Sequence, residues 1–409
     1  MANEHLDRAN IILKDVYYKY SCLIDDEKGL KINALKFIKD QIIPLMKKKD
    51  ILFSEMFEEV CEENSFIDRL RTNNAKECSL AMLLKLPILD DSSIEFKDGI
   101  CDPGFTMCAL NGGLEEIVTP TFVNQISLLR YKLLLKGTKG FILSPSRTRA
   151  WFYRILHRIL LNNELRKTYL INKLKDISLK TSGPTMTLEF KSLNGLQVNI
   201  DVFPAFAFKC HQILHLDSIG NELKTYWGST LTNKFDEYLE ITKHEKFYIY
   251  DTITPKPDNL FNKCQWRLHF VESEKRIMYQ NGCCHTIVGL LQHFRDCNSE
   301  VQKLSNYALK TIVMLLVKEY PSFIWNEENL SAYFLISLTS LHEKLRMSFL
   351  PFYFHSMSNI FDNLSPEDLT KMELWLKKVI ENLKFYHDKD KCTVIWKKYF
   401  EEKKVTLNI

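Results

Sequence analysis

Glu77-Cys78-Ser79 stands at the head of an apolar run, Leu80-Ala81-Met82-Leu83-Leu84-Lys85-Leu86-Pro87, and no other stretch narrows the possible folds as much. The run reads as a β-strand over 77–89. Side chains alternate across a strand with period two, so positions 77 and 79 project from one face. Acids at both positions, with a third on a neighbouring strand, can hold two divalent metal ions. Here the second position is Ser79, a neutral hydroxyl, so the residues that suggest a metal site also weaken it.

Composition sets outer bounds. A chain of 409 residues with 45% hydrophobic content can bury a large core, and 26% charged residues is ordinary for a globular protein. A net charge of +4 gives little support to polyanion binding by the chain as a whole, so a nucleic-acid surface must be a local patch. Eleven cysteines, scattered except for Cys283-Cys284, form no closely spaced disulfide framework, which suits a reducing cytosol. No basic segment followed by an apolar stretch opens the chain, and apolar runs such as 312–317 fall far short of a bilayer span. The expectation is a cytoplasmic protein with no membrane partner.

Along the chain, residues 1–60 read as helices, with Leu35, Phe37, Ile38, Ile42, Ile43 and Leu45 near helical spacing. Short strands follow at 94–96 and 105–108. Residues 121–136 and 145–170 read as helices, the second rich in arginine and aromatics. Strands at 185–191 and 196–203 are joined by the hairpin signal Ser192-Leu193-Asn194-Gly195. Residues 210–260 read as irregular, and helices are expected at 284–296, 301–319, 327–346 and 365–383.

Three pieces carry the chemistry. One is Glu77 with Ser79. The second is Asp201 in Val198-Asn199-Ile200-Asp201-Val202-Phe203, where Asp201 points away from the apolar face of Val198, Ile200 and Val202. The third is the loop Asn64-Ser65-Phe66, whose Ser65 can offer a hydroxyl and backbone amides to a triphosphate. Taken singly, each also fits a solvated strand start, a capping acid or ordinary turn chemistry. Their order and spacing set them apart.

From about residue 60 onward the chain resembles the male abnormal 21 family, the group of cyclic GMP-AMP synthase and the insect cyclic GMP-AMP synthase-like receptors. The family pattern is Gly-Ser, eleven residues, Glu-x-Asp on a strand, and a distal Asp. Here it reads Asn64-Ser65, eleven residues, Glu77-Cys78-Ser79, then Asp201. Gln265-Trp266-Arg267-Leu268-His269-Phe270 through Glu274, Ser305-Asn306-Tyr307-Ala308-Leu309-Lys310-Thr311 and Leu350-Pro351-Phe352-Tyr353-Phe354 resemble later family segments in the right order.

The resemblance implies an α+β fold: a nucleotidyltransferase lobe with a mixed β-sheet and a long spine helix, followed by an all-helical C-terminal lobe. It divides the chain into N-terminal helices belonging to the spine (1–60), the nucleotidyltransferase core (61–215) and a mainly helical lobe (216–409). It implies that Glu77 and Asp201 ligate Mg2+ or Mn2+, and that Ser65, Arg267, Glu274, Asn306, Tyr307 and Lys310 bind nucleotide. Tyr307 would stack a nucleobase. ATP and GTP would become a cyclic dinucleotide messenger after an activating ligand binds.

Two departures bear on this. Ser79 stands where the family has a metal-bridging Asp, and a neutral hydroxyl is a poor ligand for hard cations. Asn64 stands where Gly lets backbone approach phosphate. A non-catalytic nucleotide- or nucleic-acid-binding protein of the same fold therefore remains the alternative. Cys283, Cys284, His285, His293 and Cys297 lack the spacing and inserted loop of a zinc thumb, so no zinc is expected. Arg147, Arg154 and Arg158, with Lys47 and Lys48, are the candidate surface for a double-stranded nucleic acid. The likeness to the insect receptors favours RNA over DNA, through phosphate contacts.

Overall fold

The computed structural model describes residues 2–21, 25–62, 77–97, 101, 105–169, 174–182, 185–209, 246–251, 264–320, 325–362, 364–385 and 389–401. Asn64 and Ser65 lie outside these residues. The described residues fall into two compact units, one holding 25–62 and 77–273, the other 2–21 and 274–401. The architecture is α+β, as the sequence predicts.

The first unit opens with helix α2 (Asp25–Phe37), following α1 (Ala2–Ser21) of the other unit. A single π-helical stretch, Ile38–Ile42, leads from α2 into α3 (Ile43–Lys49). Pro44 accounts for it: proline has no N–H to return to the preceding turn, and its ring crowds the carbonyl there, so the helix widens. Asp50 ends this run and caps α4 (Ile51–Met56), accepting from the Phe53 N–H at 3.0 Å. The helical expectation for 1–60 stops at Met56, because Phe57–Glu62 is strand β1.

β1 pairs antiparallel with β2 (Glu77–Leu84), and β2 pairs in parallel with β9 (Gln197–Lys209). Between them in sequence lie β3 (Ile94–Lys97), β4 (Phe105–Asn111), β5 (Leu134–Lys136), β6 (Gly140–Leu143), β7 (Leu174–Ser182) and β8 (Thr185–Ser192). β9 is long enough to serve two partners on one side. Its first half pairs with β8, from Gln197 to Val202; its second half pairs with β10 (Lys246–Tyr250), from Ala205 to Lys209. Pro204, which has no donor for a ladder, falls at the changeover. β11 (Trp266–His269) then joins β10 to β4.

Several boundaries differ from the sequence reading. Within 121–136, Leu134 and its neighbours form β5, because pairing Leu134 with Leu143 across from β6 buries both side chains. The helix expected over 145–170 is two: α7 (Pro145–Leu160) and α8 (Asn163–Thr168), the second capped by Asn162, whose side chain accepts from the Glu164 N–H at 2.9 Å. Strand β10 lies within the stretch read as irregular.

One face of the sheet is a continuous apolar core. Leu80, Met82, Leu84, Val198, Ile200, Val202, Phe206, Phe247, Ile249, Trp266 and Leu268 are all buried, and α7, whose Trp151, Phe152, Ile155 and Leu156 are buried, packs against β9. Each such side chain contributes about 1.5–3 kcal/mol on burial. Trp266 also donates its indole N–H to the Leu143 carbonyl at 2.9 Å, so its one polar atom is satisfied.

The second unit is helical: α1, α9 (Val271–Gln280, which begins in the first unit), α10 (Cys284–Cys297), α11 (Asn306–Glu319), α12 (Leu330–Arg346), α13 (Pro366–Phe385) and α14 (Lys389–Lys398). A short ribbon pairs β12 (Pro351–Phe352) with β13 (His355–Asn359). α1 packs on α10, α12 and α14, and its buried Asn10 caps α12 from across the chain: it accepts from the Ser331 N–H at 2.7 Å and donates to the Glu328 carbonyl. The helix expected from 301 begins at 306, where the Ser305 side chain accepts from the Ala308 N–H at 3.0 Å. Gly282 is required before α10: its φ is +49°, and a Cβ there would lie 1.6 Å from the Trp325 carbonyl oxygen.

Candidate functional site

The register of β2 against β9 decides where the sequence-predicted carboxylates fall. Glu77 lies opposite Asn199, and Ser79 lies opposite Asp201. In-register residues share a face, so positions 77, 79, 199 and 201 occupy one face of two adjacent strands. The opposite face carries Leu80, Ile200 and Val202, all buried. β8 extends both rows: Thr187 lies opposite Asp201, and Glu189 opposite Asn199. The result is a patch of two rows, Thr187–Asp201–Ser79 and Glu189–Asn199–Glu77.

Asp201 is half-buried. Its Oδ1 accepts a bond from the Thr187 hydroxyl at 2.6 Å, and among the described residues Oδ2 has no partner. Burial pushes its carboxyl above the usual carboxylate range, and the Thr187 bond opposes that shift. Glu189 contrasts with it. Lys180 donates to its Oε1 at 2.8 Å, Ser178 donates to Oε2 at 3.0 Å, and Gln197 donates to Oε1 as well. The Lys180 bond leads in holding its carboxyl below the usual range. Glu189 is thus spent on its neighbours, while Asp201 keeps an oxygen.

A divalent metal is the group the sequence pattern implies here. The donor set is hard oxygen throughout: the Asp201 carboxylate, the Ser79 hydroxyl and the position of Glu77 on the same face. A desolvated carboxylate short of a partner is what a cation would stabilise, but the Glu77 side chain lies outside the described residues, and among those residues no group of three or more acidic, histidine or cysteine side chains comes together to hold one. For a second ion the anionic bridge is missing at Ser79.

Arg267 lies on the same sheet face further along. Its row runs Leu83, Ala205, Tyr250, Arg267, Phe105 across β2, β9, β10, β11 and β4. Its guanidinium sits 5.2 Å from the Phe105 ring centroid. Phe203, Tyr250 and His269 form a chain of rings on that face, with centroids 5.3 and 5.6 Å apart.

The remaining predicted nucleotide residues are in the helical unit, and three of them bind one another. Glu274, buried on α9, accepts from the Tyr307 hydroxyl at 3.0 Å and from the Lys310 ammonium. The Lys310 ammonium is also 5.0 Å from the Tyr307 ring centroid. Tyr307 also stacks on Phe352 at 5.4 Å and 21°. Asn306 is exposed at the start of α11, and its Oδ1 accepts from Arg295 at 2.7 Å.

The candidate nucleic-acid residues divide by use. Arg147 spends its guanidinium on the Arg130, Tyr131 and Leu134 carbonyls, closing the end of α6 (Ile126–Lys132). Lys47 lies 4.5 Å from the Phe57 ring. Arg154, Arg158 and Lys48 are exposed and have no ion-pair partner among the described residues. Beside the arginines, Tyr153 and His157 stack at 5.6 Å on the same exposed side of α7.

The cysteine and histidine cluster is committed to packing. Cys283 donates its S–H to the Asn326 carbonyl at 3.2 Å, and burial pushes its thiol up to about 12. His293 bonds the Phe400 carbonyl at 3.0 Å through Nε2, and burial lowers its pKa to about 4.

Two site residues are absent from the sequence reading. Thr187 could have been found there, because a hairpin closed at Ser192–Gly195 carries position 187 to position 201. Arg295 has no such signal, because Leu304 and Asn306, its partners besides Asp296, lie nine and eleven residues on, past the end of its helix.

Comparisons with known proteins bear on the family and the fold. The description "Mab-21 protein nucleotidyltransferase domain" matches residues 66–280, and "Mab-21 protein HhH/H2TH-like domain" matches residues 283–378. The chain is similar to a cyclic GMP-AMP synthase-like receptor of Aethina tumida, 26% identical over 97% of this chain and 93% of the relative. Receptors so described from Ctenocephalides felis (22% identical, 91% of this chain, 83% of the relative) and Nicrophorus vespilloides (21%, 89% and 90%) are similar over nearly the same extent. A sheet face bearing Asp201, followed by a helical domain, and a family match covering more than half of the residues lead to one conclusion: the chain belongs to the Mab-21 family, with its nucleotidyltransferase domain followed by its helical C-terminal domain.

Proposed function

We propose that this chain is a cytoplasmic cyclic GMP-AMP synthase-like receptor, which on binding double-stranded RNA joins ATP and GTP into a cyclic dinucleotide. The observation that supports it most is the register that puts positions 77, 79 and 201 on one sheet face, with Asp201 Oδ2 without a partner among the described residues. A divalent cation held by Asp201 and Glu77 would supply positive charge to the phosphoryl oxygens and the leaving pyrophosphate. Thr187 fixes the rotation of the Asp201 carboxyl by donating to Oδ1, which leaves Oδ2 for the ligand. Arg267 and Lys310 bring cationic groups for nucleotide, and Tyr307 offers a ring already aligned by Phe352 and Glu274. Arg154, Arg158 and Lys48 would meet the duplex through its phosphates, so affinity would fall steeply with salt.

A second reading has its own observation. Ser79 stands in register with Asp201, where a carboxylate would complete the metal site. Loss of a ligand-orienting group alone costs about 10–100-fold at metal sites. Losing a residue that would touch the metal itself therefore favours a protein that binds nucleotide or duplex and turns over slowly or not at all. Purified chain incubated with labelled ATP and GTP, Mn2+ and either RNA or DNA duplex separates the two. A cyclic product that needs RNA supports the receptor. Duplex binding with no product under any condition supports the binding protein.

A further inference from the structure

Arg295, buried near the end of α10, divides its guanidinium among three partners. Nε and Nη2 donate to Asp296 Oδ1 at 2.8 and 2.6 Å, which holds the planar group in place. Nη1 donates to the Leu304 carbonyl at 3.1 Å and to Asn306 Oδ1 at 2.7 Å. Leu304 and Asn306 flank Ser305, the residue that caps α11. Arg295 therefore ties both sides of the cap to the preceding helix.

The contact with Asn306 carries chemical information. A guanidinium has five donors and no acceptor, so a carboxamide can face it only through oxygen. The Asn306 nitrogen is thereby turned the other way. Asn306 is exposed, and among the described residues its nitrogen has no partner. Without Arg295, either orientation of the carboxamide would be open, and half of them would present oxygen to a ligand. Lys310 lies four residues on, on the same side of α11. Its ammonium is held by Glu274, so the position of the next cationic group along the helix is fixed.

We infer that Arg295 is a positioning residue that locks the Asn306 carboxamide with its N–H pair outward, to receive a phosphoryl oxygen of a nucleoside triphosphate. The inference rests on the nucleotide reading above and adds to it a donor set by a residue that touches no substrate.

The test is a double-mutant cycle on the full chain, read as equilibrium binding of ATP and GTP, with adenosine and guanosine as phosphate-free controls. Asn306→Ala should weaken triphosphate binding about tenfold, the scale of a hydrogen bond to a charged group, and leave the nucleosides unchanged. Arg295→Lys, which keeps the charge but loses the fork, should cost about fivefold. The double variant should bind no more weakly than Asn306→Ala, because the two residues act through one bond. If Arg295→Lys weakens binding equally in both backgrounds, or weakens nucleosides as much as triphosphates, the inference is overturned. Asn306→Asp guards against misfolding, since it keeps an oxygen on the guanidinium and removes the N–H pair. It should melt like the wild type yet bind triphosphate at least as poorly as Asn306→Ala. Retained affinity in Asn306→Asp overturns the inference however the Arg295 variants fold. Failure of the wild type to bind either triphosphate would instead overturn the nucleotide reading, and this inference with it.

Discussion

The sheet patch around Asp201 and the cluster around Glu274 are built from similar groups and finished differently. Glu274 receives a hydroxyl and an ammonium, and its tyrosine partner is stacked on Phe352, so each polar group in that cluster has a protein partner. Asp201 receives a single hydroxyl and keeps an oxygen, half-buried, at a cost in desolvation. A cluster that satisfies itself holds a shape. A carboxylate left short of partners is what the proposed cation site requires.

The sharpest way to break this contrast is Asp201→Asn. The carboxamide still accepts from Thr187 but cannot bind a cation as an anion, so transferase activity should fall at least about 100-fold. Stability should hold or rise, because a desolvated charge is removed. A variant that loses activity by unfolding would contradict the assignment; thermal melting beside a turnover assay decides it.

The sheet patch and a buried histidine elsewhere in the helical unit should also answer acid with opposite signs. Asp201 has a raised folded pKa, so in falling pH the folded chain takes its proton before the unfolded chain does, and stability gains. His293 has a folded pKa near 4 against 6.5 unfolded, so below 6.5 the unfolded chain takes a proton that the folded one refuses. Its contribution is a loss of about 3 kcal/mol by pH 4, with nothing lost above 6.5. Urea unfolding of His293→Gln and wild type from pH 4 to 7 checks this. The gap between them should change across that window and stay constant above it.

A smaller effect is expected from Glu274→Gln. Lys310 keeps a hydrogen-bond acceptor but loses its counter-charge in a largely buried setting, a change of about 1–3 kcal/mol. Binding of ATP should change little if Lys310 is then free to meet phosphate. A fall in melting temperature without loss of ATP binding would sharpen the view of this cluster as a scaffold. Unchanged stability would break it.

The legible parts of this molecule are those fixed by local rules. Period-two alternation placed Asp201 away from Val198, Ile200 and Val202, and Gly195, at φ +82°, closes the hairpin that sets the β8 register. The caps at Asn162 and Ser305 are local signals too, yet the readings of 145–170 and 301–319 pass over the helix starts they mark. Less legible were the elements set by distant partners. β10 is a strand because β9 and β11 flank it, and its sequence lies between long stretches with no pattern of their own. Leu134 reads as helix until Leu143 pairs with it. The Glu274–Lys310 bond spans 36 positions, and only a family likeness pointed to both residues. Arg295 had neither a local rule nor a likeness to show it.

Ser79→Asp tests the central claim most directly, read as melting temperature against Mn2+ concentration with Asp201→Asn as its partner variant. If positions 77, 79 and 201 form one cation site short of a carboxylate, the added acid should lower the melting temperature without metal, through repulsion with Asp201. Mn2+ should then restore it and carry it above its starting point, with a response larger than the wild type's that Asp201→Asn abolishes. A Ser79→Asp protein that melts alike with and without Mn2+, or whose response survives Asp201→Asn, would contradict the account.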